Sequence, residues 1–86
     1  MTLGRTVENV IEGVVAELER SIVIHGDWSD YDRHEMYRAV RDEFEELQTA
    51  WYRGDDTGEH GMINEARQLA VCCIKLILCR SDKEVI

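Results

Sequence analysis

The 86-residue chain is short of positive charge: ten Lys and Arg stand against 18 Asp and Glu, a net charge of −8. Most of such a surface repels a phosphate backbone, which argues against duplex nucleic acid as a partner. Proline is absent, and the breaks fall at glycine-bearing segments, 26–31 and 53–58. The longest apolar run, Leu69 to Cys79, covers eleven residues and is interrupted by Lys75. That is well below the ~20 residues needed to span a bilayer, so no membrane association is expected. The first ten residues hold few apolar side chains and include Glu8, which does not fit a signal peptide. Neither a P-loop, nor a dinucleotide-binding glycine fingerprint, nor a nucleophile elbow is present, leaving those chemistries without support. Cys72, Cys73 and Cys79 have no zinc-ligand spacing and no histidine partner. They read as reduced, small core residues of a cytoplasmic protein.

What is present is helical periodicity. Val7, Val10, Ile11, Val14, Val15, Leu18 and Ile22 recur at spacings of three and four and predict a helix over about 7–24. Thr6 is its expected N-cap and His25-Gly26 its end. A second helix is expected over 32–53, opened by Asp32 with Glu35 three residues on, a capping-box pattern. Its apolar stripe is Met36, Tyr37, Val40, Phe44, Leu47 and Trp51, with Trp51 read as core. A third helix, about 60–80, is apolar almost all round in its second half. A helix greasy on every side must be surrounded, which two other helices in so short a chain can hardly do. The expectation is therefore all-α: residues 1–86 as one domain, a small antiparallel bundle of three main helices, completed by homo-oligomerisation. Residues 81–86 read as a frayed tail.

The chemistry-bearing pattern is acidic. Glu43 and Glu46, three apart, share a face of the second helix, and Glu65 opens the third. Carboxylates from two antiparallel helices suit a hard cation such as Mg²⁺, which takes oxygen ligands. Acid-x-x-acid pairs occur elsewhere in this chain, at Asp27/Asp30, Asp32/Glu35, Asp42/Glu45 and Asp56/Glu59, so the ordered combination carries the reading rather than any one pair. Lys75, seven residues from Gln68, is a candidate point charge for a phosphate. Trp28, in the first loop, either stacks on a base or covers one end of a small core, and the second is the better reading. His25, His34 and His60 have no mutual metal spacing and read as structural or solvated.

The run Asp-Glu-Phe-Glu-Glu-Leu-Gln-Thr-Ala-Trp at 42–51 resembles the first acidic helix of the MazG-like all-α nucleoside triphosphate pyrophosphohydrolases. That superfamily carries Glu-x-x-Glu, a variable stretch, then Glu-x-x-Asp. The matching positions are Glu43, Glu46, Glu65 and Gln68, with eighteen residues between Glu46 and Glu65. The resemblance covers roughly residues 25–77, and the segment from His25 to Glu35 is similar to divergent, phage-type members. It implies a homodimer or homotetramer, Mg²⁺ or Mn²⁺ held by Glu43, Glu46, Glu65 and Gln68, and Glu43 and Glu46 as catalytic residues. Lys75 and Trp28 would then contact a nucleoside triphosphate, which is hydrolysed to the monophosphate and pyrophosphate. Gln68 departs from the pattern, standing where the family has an acid. The competing expectations are a weakly active or inactive helical dimerisation or protein-interaction module, and a nucleotide-binding pseudoenzyme.

Overall fold

The computed structural model describes residues 6–81, and these form three α-helices and no strand. They are α1 (Val7–His25), α2 (Arg33–Arg53) and α3 (Met62–Arg80). The caps follow the local chemistry. The Thr6 side chain accepts from the Asn9 amide, satisfying one of the free donors of α1. Asp32 accepts from the Glu35 amide at 2.8 Å while Glu35 accepts from the Asp32 amide at 3.2 Å, closing the capping box of α2. Gly54, in the left-handed conformation with φ 74°, ends α2 by donating to Ala50 and Trp51. Gly61 begins α3 without a side-chain cap, and a Cβ there would collide with the backbone of Thr57. The expected tail at 81–86 lies, apart from Ser81, outside the described residues, as does the first half of the segment read for a signal peptide.

Helix α3 is the centre. It packs on α1 and on α2, whereas α1 and α2 do not pack on each other among the described residues. Its buried positions are Glu65, Val71 and Lys75. The remaining buried apolar side chains are Trp28, Met36 and Ala50, so the core of a single chain is thin. No helix among the described residues is long and apolar enough to cross a membrane.

Helix α2 departs from expectation. Its buried residues are Met36 and Ala50, and Glu43 lies midway between them and half-buried. These three, seven apart, form the side turned to α3. Trp51 follows Ala50, about 100° further round the helix, and is 67% exposed. The expectation that Trp51 belongs to the core is therefore wrong, because Met36, Glu43 and Ala50 rather than the aromatic residues of the stripe make the α3 contact. Similarly, α1 buries only Ser21, and Val7, Val10, Ile11 and Val15 of its stripe remain exposed.

Candidate metal centre

Two residues of α2 and one from the first turn of α3 converge. Carboxylate oxygens of Glu43, Glu46 and Glu65 all lie within 4.8 Å of one another. Helical spacing puts Glu43 and Glu46 on neighbouring turns of one face, and the α2–α3 contact brings Glu65 opposite. The connection is held tightly: the Met62 amide donates to the Asp55 carbonyl at 2.7 Å and the Ile63 amide to that of Asp56 at 3.1 Å. The Arg53 guanidinium reaches the His60 carbonyl at 3.3 Å and the Asp55 carboxylate at 3.3 Å.

The electrostatics are those of like charges held together where Glu65 is buried, Glu43 half-buried and Glu46 exposed. Glu65 is only 4% exposed. One oxygen of Glu43 and one of Glu65, Oε2 in each, are buried and have no hydrogen-bond partner. Burial, followed by the charge of Glu46, raises the Glu43 carboxyl to about 7. Burial and Glu46 also raise Glu65, against a smaller lowering from His60, whose Nδ1 lies 3.6 Å from Glu65 Oε1. Burial, with Glu43 nearby, pushes the Cys72 thiol up to about 11, so it is not poised as a nucleophile.

Buried carboxylate oxygens normally find donors, and three acids without a cation between them repel. Both features fit a hard divalent ion, whose preferred ligands are carboxylate oxygens and water. A cleft of about 230 Å³ opens beside the cluster, lined by Glu46, Thr49, Arg53, His60 and Glu65. Two acids, the Arg53 guanidinium and the His60 ring thus face one small space.

The other expected site residues lie elsewhere. The Gln68 amide donates to Glu17 Oε1 at 2.7 Å, turning the fourth motif position toward α1. Hydrogen bonding to Arg20 and Gln68 offsets partial burial and holds Glu17 at about 2. Lys75 lies ten residues beyond Glu65, about 15 Å along α3. It is 3% exposed, donates to Ser21 Oγ at 2.6 Å and sits over the Trp28 ring at 5.4 Å from its centroid. Trp28 stacks on Tyr31 with centroids 5.5 Å apart and takes φ 68°, unusual for a bulky residue. Lys75 and Trp28 are brought together, then, but at the other end of α3 from the acids, and Trp28 covers the end of the core.

Sequence reasoning took His60 as structural or solvated and assigned Arg53 no part in the site. The available signal was position: His60 precedes Glu65 by five residues between two glycines, and Arg53 closes the helix that carries Glu43 and Glu46. No family model, curated protein or solved structure matches this chain.

Proposed function

We propose that this protein is a divalent-metal-dependent phosphohydrolase acting on a nucleoside triphosphate, with Mg²⁺ or Mn²⁺ held by Glu43, Glu46 and Glu65. The observation that carries the reading is the convergence of three carboxylates within 4.8 Å with two buried oxygens left without donors. A bound cation would neutralise the acids, lower the pKa of water and draw phosphate oxygens into the site. The residues of the chain then divide the work. Arg53 and His60, which line the cleft, offer donors to phosphate oxygens. With the metal held there, Glu43 or Glu46 would take the proton of the attacking water as its oxygen adds to the α-phosphorus. The α–β bridging bond breaks, and monophosphate and pyrophosphate leave. The MazG-like resemblance supports the same chemistry. Lys75 keeps a part only for a substrate long enough to reach the far end of α3.

The fold belongs to the same proposal: an antiparallel bundle completed by a second or further copies, working in the cytoplasm, where its cysteines stay reduced. A pseudoenzyme is favoured by one observation, the turn of Gln68 toward Glu17, which leaves three acids rather than four. Pyrophosphate release from a panel of nucleoside triphosphates, with Mg²⁺ and with chelator, tests the reading. Metal-dependent release, lost in Glu46→Gln, supports it. A melting temperature unmoved by either metal rejects the site itself.

A further inference from the structure

Along α2, Tyr37, Val40, Phe44, Leu47 and Trp51 follow one another at alternating steps of three and four. That is the spacing of a helix seam that packs on another helix. Among the described residues no other helix packs along the seam: α2 meets α3 with Met36, Glu43 and Ala50, one position round. Tyr37 is 66%, Phe44 51% and Trp51 67% exposed, and Val40 and Leu47 are half-buried. Phe44, Leu47, Gln48, Trp51 and Tyr52 line a shallow apolar cleft of about 260 Å³.

We infer that this seam is the surface on which a second copy of the chain docks, α2 against α2 and antiparallel. Area is the first argument. Four aromatics, Tyr52 included, each present 150–250 Å² when bare, so at these exposures they leave roughly 500 Å² uncovered. A monomer's largest apolar patch is of that order at most, and a stable dimer buries about 800 Å² per partner. Val40, Leu47 and the polar edges of the helix supply the remainder. The second argument is charge. The first half of α2, residues 33–42, carries Arg33, Arg38 and Arg41 against Glu35 and Asp42. The second half carries Glu43, Glu45 and Glu46 against Arg53. An antiparallel pair sets the net positive half of each copy beside the net negative half of the other, whereas a parallel pair sets like beside like. A two-fold axis near Phe44 makes the contact self-complementary.

This deepens the self-association in the proposed function; its area argument stands apart from the metal chemistry, whereas the charge argument holds for the metal-free chain, since it counts Glu43 and Glu46. Sedimentation equilibrium at tens of micromolar, with acrylamide quenching of tryptophan, tests it. The wild-type chain sediments as a dimer or larger, with Trp28 and Trp51 both shielded. Phe44→Glu sediments at half that mass or less and exposes one tryptophan, while Val10→Glu, on the exposed stripe of α1, leaves association unchanged. Arg41→Gln weakens an antiparallel pair and would strengthen a parallel one. Should Phe44→Glu lose its helical circular dichroism, Tyr37→Ala takes its place, with about tenfold weaker association. A wild-type monomer overturns the inference, as does dissociation by Val10→Glu with Phe44→Glu intact. A monomeric Phe44→Glu that still melts higher with Mg²⁺ separates this surface from the metal site.

Discussion

Helix α3 buries charge twice, in opposite ways. Toward α1 it buries Lys75, whose ammonium has a hydroxyl at 2.6 Å and an aromatic face beneath it. Toward α2 it buries Glu65, which meets two more acids and keeps an oxygen without a donor. The lysine's needs are met by the fold itself. The glutamates' needs are not met by donors of the fold among the described residues. Burial alone therefore does not mark a site; burial with unanswered polar atoms does, because each such atom costs on the order of 1–3 kcal/mol unless a ligand satisfies it.

The largest expected effect concerns the unfinished end. Glu43→Gln or Glu65→Gln lowers metal-dependent pyrophosphate release by on the order of 100-fold or more while the chain stays folded. Equal activity in wild type and both variants would remove the contrast altogether. Next comes stability. Metal at a hundred times its dissociation constant adds about 2.7 kcal/mol, which raises the melting temperature by roughly 10 °C or more for a chain of this size. Calorimetry with and without Mg²⁺ measures it, and the Lys75 end predicts no such response.

The same measurement across pH sharpens the comparison. The Glu43 carboxyl lies at about 7 in the folded chain, above its ordinary 4.5. The folded state therefore holds a proton that the unfolded state has lost, and metal-free stability falls as pH rises from 4.5 through 7. Glu43→Gln flattens that slope and makes the metal-free protein more stable at pH 8, the sign expected where function opposes stability. At the finished end, Lys75→Met keeps the volume but strands the Ser21 hydroxyl. It costs about 1–2 kcal/mol in chemical denaturation and leaves the metal response intact. Gln68→Glu gives the smallest change. It puts an acid where the resembled pattern has Asp but sets a carboxylate against Glu17, so about 1 kcal/mol of stability is lost and metal binding, followed by calorimetric titration, does not tighten.

The helices and their caps were legible because they rest on local chemistry: Thr6, the Asp32–Glu35 box and Gly54 act within a few residues of themselves. The convergence of Glu43, Glu46 and Glu65 was legible as a possibility of spacing. Its burial was not, since that depends on how α2 is rotated against α3. Rotation also explains Trp51. Periodicity identifies an apolar stripe but not what covers it, and here Ala50 and Glu43 take the inner side. The positions of His60 and Arg53 beside the cluster arise from the turn between α2 and α3, whose path no local pattern specifies. Lys75 was read as a point charge for a phosphate; its burial against Ser21, fifty-four residues away, was not legible.

The close fit of Gly61 over Thr57, with the two amide links from Met62 and Ile63 back to Asp55 and Asp56, bears on the order in which the molecule assembles. Short loops close in well under a microsecond, and nearby segments meet before distant ones. The α2–α3 hairpin can form on its own timescale, bringing the three glutamates together early in folding. The α1 contacts, Glu17 to Gln68 and Ser21 to Lys75, span more than fifty residues and come later. A nascent hairpin of this kind gathers mutually repelling acids ahead of the packing that must hold them.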